Sequence, residues 1–229
     1  MSQIQHFARG HQSMRKAAAK AWEGLKVPNL ISTGLVLLAA GMSFGCGAAR
    51  PSSYYQLTVP SAVPQAGEAA HYQVSLVVAP FMASQLYRQD RIVYNTGAQA
   101  MGLYEYHRWA EPPAQMAVDV FVRTLRASGL YESVSILRSN VTGNFMLRGH
   151  LYDFKEISDP ALATRVTFDL ELRENKTGST VWTHFYTHDE PVNGKDVAAV
   201  VASLDHNFQA GVTESTNSLS SYFSTHRPQ

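Results

Sequence analysis

A single cysteine, Cys46, stands in the whole chain, so no disulfide can close within it. Charge is also sparse. Lys, Arg, Asp and Glu make up 16% of the residues and nearly cancel, leaving a formal net charge of +1. That balance gives no basic footprint for nucleic acid, and no block of like charge is present. No apolar run reaches the roughly 20 residues of a membrane-crossing helix. Heptad arrays, fixed-period repeats and a glycine-rich phosphate loop after a strand are absent too.

What is present begins around Cys46. Arg9, Arg15, Lys16, Lys20 and Lys26 form a basic segment, and Leu30 to Ala40 an apolar run of eleven residues. Gly41, Ser43 and Gly45 then lead into Cys46. This order reads as an export signal with a lipid-accepting cysteine. The expected organisation is a signal peptide at 1–45, a lipidated tether at 46–53 and one domain at 54–224. The start codon is Met1 or Met14. Ser43-Phe44-Gly45-Cys46 resembles the bacterial lipobox, with Ser43 where leucine is usual. Removing the signal leaves 184 residues, enough for one core, with fourteen basic and seventeen acidic side chains.

Few residues point to catalysis. Gly41-Met42-Ser43-Phe44-Gly45 fits G-x-S-x-G, but that serine needs a strained strand-to-helix turn and here falls in the segment to be removed. His184 and His188 sit in a strand-like stretch, which separates them by roughly 13 Å, too far to share one ion. Asp169 with Glu171, and Asp189 with Glu190, show no convergence across a cleft. The expectation is no catalytic residue, no metal and no cofactor.

Periodicity sets the fold class. Thr164 to Arg173 alternates Val166, Phe168, Leu170 and Leu172 with polar residues, giving a strand with one buried face. Further strands are expected at 54–59, 71–79 (central), 91–95, 103–107, 133–137, 145–156 and 179–188. Helical spacing marks 112–127, where two prolines open the first turn, and 196–222. The result is an α+β fold: a largely antiparallel sheet with two main helices packed on one face.

The densest unusual stretch is Gly102 to Pro113. With Arg91 and Tyr94 before it, it groups Tyr104, Tyr106, Arg108 and Trp109, side-chain types enriched at binding hot spots. Arg91, Tyr94, Tyr104, Tyr106, Arg108 and Trp109 are therefore candidate partner-binding residues. Strand alternation would put Tyr104 and Tyr106 on one side and Glu105 and His107 on the other. A structural reading competes: Trp109 staples the helix start by packing on Val118 or Phe121, and Arg108 pairs with Glu111.

Arg91-Ile92-Val93-Tyr94 together with Tyr104 to Pro113 (YEYHRWAEPP) resembles the ABC-type transport auxiliary lipoprotein family, which includes the paraquat-inducible protein C type. Tyr54-Tyr55-Gln56-Leu57, Val78-Ala79-Pro80-Phe81, Leu125 to Val134 and Leu147-Arg148-Gly149 fit as well. The resemblance covers most of 46–210, and the tail past about 215 adds nothing to it. It implies an outer-membrane lipoprotein facing the periplasm of a Gram-negative-type envelope. It also implies a non-enzymatic role docking a mammalian-cell-entry (MCE) domain protein of an ABC lipid transporter, and leaves room for an oligomer. Gly47, where aspartate would signal inner-membrane retention, favours the outer membrane by resemblance to sorting rules. The second expectation is a module that itself accepts phospholipid between helices and sheet.

Overall fold

Alternation and helical spacing translate directly into elements in the computed structural model, which describes residues 50–60, 72–97, 99–138 and 140–226. The segment 1–45, Cys46 and the rest of the tether up to residue 49, and residues 61–70 of the expected loop lie outside them. Pro51 to Gln229 forms one compact unit.

The strands are β1 (Ser53–Tyr55), β2 (Tyr72–Val78), β3 (Met82–Ala83), β4 (Arg91–Asn95), β5 (Met101–Trp109), β6 (Tyr131–Ile136), β7 (Phe145–Ile157), β8 (Ala163–Glu174) and β9 (Thr180–Pro191). The helices are α1 (Pro113–Ala127) and α2 (Val197–Thr225), with a short 3-10 turn at Gln85–Arg88. The fold is α+β. Its longest ladders, β7 with β8 and β8 with β9, are antiparallel, as is β4 with β5. The sheet is nonetheless mixed. On its other edge β7 pairs in parallel with β2, then β3, then β4, and β1 with β5 and β2 with β6 are parallel as well. β2 is central, flanked by β6 and β7, which suits its apolar Leu76-Val77-Val78.

Both helices cover one face, where aromatic rings fill the layer between. Phe121 of α1 meets Phe168 of β8 and Phe208 of α2 edge to face, at 5.8 and 6.0 Å between centroids. Phe154 of β7 links Phe208 to Trp109 at 5.9 and 5.4 Å. These rings are 0–1% exposed. Such edge-to-face pairs add about 0.5–1.5 kcal/mol beyond the area they bury. Gly211 lets α2 approach β9. A Cβ there would lie 2.7 Å from the Tyr186 ring and 2.9 Å from that of Phe168.

α2 carries one fully buried amide. Asn207 Nδ2 donates to the carbonyls of His188 (3.0 Å) and Thr164 (3.3 Å), and its Oδ1 accepts from Tyr186 Oη at 2.9 Å. The polar group is thus satisfied rather than left as a penalty. At the N-terminus of α2, Asp196 accepts from the Ala199 amide at 2.8 Å as a side-chain cap.

Two expectations about boundaries change. The strand expected over 54–59 ends at Tyr55 because the chain turns onto α2. Thr58 donates its backbone N–H and hydroxyl to Asp205 (2.9 and 2.5 Å), and Gln209 Nε2 donates to the Thr58 carbonyl at 2.7 Å. At the other end α2 runs on to Thr225. Its last turns place Phe223, 0% exposed, among Tyr72, Tyr131 and Phe145.

Candidate functional site

The candidate residues lie on β4 and β5, next to the edge strand β1. β4 and β5 begin in register as Val93 with Leu103, Tyr94 with Gly102 and Asn95 with Met101, but Arg91 faces Arg108. Residues 104–107 of β5 therefore stand opposite Ile92 alone. This bulge ends the simple alternation expected for 103–107. In consequence Tyr104 and His107 come together, ring to ring at 5.9 Å and 85°, where strict alternation would have parted them. Tyr106 is half-buried on the same strand.

A chain of rings results. Tyr94 meets Tyr104 at 4.9 Å, Tyr104 meets His107, and His107 stacks on Tyr55 of β1 at 5.9 Å and 27°. Tyr55 Oη lies 3.0 Å from His107 Nδ1. The Tyr94 ring lies over Gly102 so closely that a Cβ there would be 2.3 Å from its Cζ and would have to displace the ring. Tyr104 Oη donates to the buried carboxylate of Glu156 at 2.6 Å. Burial first, and that carboxylate second, raise the Tyr104 hydroxyl well above the ordinary phenol range. Tyr104 is thus a fixed, neutral hydrogen-bond donor.

The two arginines and the tryptophan take different places. Arg108 Nη1 donates to both carboxylate oxygens of Asp90, at 3.1 and 3.0 Å. This corrects the expected pairing with Glu111. The return of β4 beside β5 brings Asp90 to Arg108, and the Trp109 amide donates to the Asp90 carbonyl at 2.6 Å. Glu111 instead lines a cleft of about 180 Å³ beside α1, with Gln56, Asp119 and Arg123. Arg91 is half-buried and forms no ion pair among the described residues. Trp109 is 1% exposed, belongs to the same core as Val118 and Phe121, and meets Phe154 ring to ring. Its role in this geometry is to hold β5 to the core, while Tyr94, Tyr104, Tyr106, His107 and Arg91 remain part-exposed.

Among the described residues no three His, Cys, Asp or Glu side chains converge as a metal set. His184 and His188 lie on β9, opposite Leu170 and Val166. His184 faces Glu214 of α2 at 3.2 Å and stacks on Trp182. The helix-free face holds a further surface that periodicity alone did not single out. Met82, His150, Asp169 and Phe185 stand in register across β3, β7, β8 and β9, with Met82 and Phe185 64% and 59% exposed. No signal in one sequence marks this row, because it exists only once four strands are aligned.

No helix among the described residues is long and apolar enough to cross a membrane. The family model for ABC-type transport auxiliary lipoprotein components matches residues 55–214. A solved structure from Xanthomonas campestris, of the family DUF330, is similar at 24% identity and a TM-score of 0.61, covering 72% of this chain and 92% of that one. A second, an uncharacterised protein, is similar at 14% identity and a TM-score of 0.58, covering 74% and 99%. At these identities the two structures establish the shared fold. Comparison with curated proteins gives no match.

Proposed function

The chain belongs to the ABC-type transport auxiliary lipoprotein component family, and on that footing we propose that it is a non-enzymatic accessory of an MCE-type ABC lipid transport system. In this reading acyl chains on Cys46 hold the domain to the periplasmic side of the outer membrane, and the domain docks the MCE-domain protein. The observation that carries the reading is the family match over 55–214. The geometry supports it with side chains suited to protein contact: the part-exposed rings of Tyr94 and Tyr104, 4.9 Å apart, with Tyr106, Arg91 and Arg108 part-exposed on the same two strands. Tyrosine and arginine give large contact area with few rotors to immobilise, which is why they recur at the energetic centres of interfaces. The anchor suits a permanent component, since each buried methylene contributes about 0.8 kcal/mol and several chains together make release negligible.

Two measurements test this. Tagged full-length protein is purified from cell envelopes; the MCE-domain protein should accompany it, and its consistent absence refutes the docking role. Mass spectrometry of the N-terminal peptide should show an acylated Cys46, and an unmodified peptide removes the anchor.

A further inference from the structure

Beside the start of α1 the surface opens into a cleft of about 430 Å³. Its walls are Pro80, Phe81, Pro112, Ala114, Val118 and Ile136, from the β2–β3 connection, the start of α1 and the end of β6. Three polar residues complete the lining: Arg88, Gln115 and Asp119. The space between helices and sheet, by contrast, is filled by Phe121, Phe154, Phe168 and Phe208. The cleft is therefore an open, mostly apolar volume next to the core, and its size falls toward the small end of the ~300–1,000 Å³ typical of ligand pockets.

Charge orients an occupant. Arg88 follows β3 in the 3-10 turn, is exposed, and donates to Gln85 Oε1 at 2.7 Å. It forms no ion pair with a carboxylate among the described residues. Asp119, the carboxylate on this lining, also faces the neighbouring cleft, where Arg123 is present. An apolar trough with a cation at its rim, unengaged by any protein carboxylate, complements a molecule with one aliphatic chain and one anionic head.

We propose that this cleft binds a single-chain anionic amphiphile of the long-chain fatty carboxylate type, its chain against Phe81, Val118 and Ile136 and its carboxylate on Arg88. The volume suits one chain rather than a two-chain lipid. The proposal does not depend on the docking role.

The test uses the 51–229 unit, which carries its own core, and a fluorescent polyene fatty acid of eighteen carbons as the probe. Saturable binding is expected, displaced by palmitate but not by a cationic alkylamine of equal length. Arg88→Gln, an exposed change that leaves the fold intact, should weaken binding about tenfold, the loss of one charge-assisted contact. Ile136→Asp should abolish binding at an unchanged circular dichroism spectrum, and Asp119→Asn should tighten it. If Ile136→Asp alters the spectrum, Gln115→Trp, which narrows the mouth from an exposed position, takes its place. Competition by a lysophosphatidic acid tests the head: displacement as strong as palmitate's, or stronger, assigns the site to phosphate-headed lipids and overturns the carboxylate assignment. Equal binding of the alkylamine, or binding indifferent to both Arg88→Gln and blockage of the trough, overturns the site altogether.

Discussion

Replacing Trp109 by alanine separates folding from contact at the tyrosine–arginine cluster. The indole is 1% exposed and rests on Phe154, which in turn meets Phe208 of α2. Truncating a buried tryptophan costs about 3–5 kcal/mol, from lost transfer energy and the cavity left behind. For a domain of this size each kcal/mol lowers Tm by ~2–4 °C, so a fall of about 6–20 °C is expected. Arg108 differs. Its side chain is 25% exposed and that of Asp90 41%; a pair this wet contributes about 0.2–1 kcal/mol. Arg108→Ala should therefore keep the fold and lower Tm by ~4 °C at most, while weakening capture of the MCE-domain protein. Thermal unfolding of the 51–229 unit, followed by circular dichroism, reads both. A Trp109→Ala variant that unfolds within 2 °C of the parent, or an Arg108→Ala variant less stable than the Trp109→Ala one, refutes the assignment of Trp109 to the core.

Three further outcomes follow from the packing and the titratable groups. Gly211→Ala gains about 1 kcal/mol of helix propensity but pushes a methyl against Tyr186 and Phe168, where overpacking costs about 1–3 kcal/mol; a net loss of about 1 kcal/mol in denaturant unfolding is expected, and a gain would show that α2 can shift. Burial raises the Tyr186 hydroxyl to about 12; the folded state holds the neutral phenol, so this contribution is complete below the ordinary value near 10 and is lost as pH rises through about 12. Tyrosinate absorbance should show part of the tyrosines ionising only together with loss of the fold, and reversible ionisation of every tyrosine near pH 10 in the folded protein contradicts it. His206 is raised by its 2.7 Å hydrogen bond to Glu190 and then by that carboxylate's charge; its contribution is complete below the ordinary histidine value and is lost as pH rises through the raised one. NMR titration of Glu190→Gln should return His206 to the ordinary range, and an unmoved titration curve would remove Glu190 as the cause.

Local pattern carried much of this architecture. β8 was legible because Val166 to Leu172 alternate in both hydropathy and charge, and α1 because two prolines and a helical stripe agree on its start. Sequence alone could not show what pairing decides. The bulge at 104–107 exists only relative to β4, so the meeting of Tyr104 with His107 is invisible in the order of residues. Asp90 reaches Arg108 across an intervening hairpin, whereas Glu111 is merely near in sequence. β3 is two residues long, below any periodic signal, and the cleft beside α1 draws its walls from three separate segments. Phe223 shows a different limit. It lies beyond the part of the chain that the family model matches, yet it is as buried as any ring in the core.

β7 joins β2, β3 and β4 on one side to β8 on the other, and this fixes an order of events when the chain emerges from its N-terminal end. Everything up to residue 144, including β1 to β6 and α1, is made before the strand that unites it. Until Phe145–Ile157 arrives, β2 has only β6 beside it, and the β4–β5 hairpin has no central neighbour. Parallel ladders between distant segments close late because the intervening loop must first be constrained. If the chain is exported as proposed above, late closure would let more than half of it thread across the membrane before a united sheet exists to obstruct it.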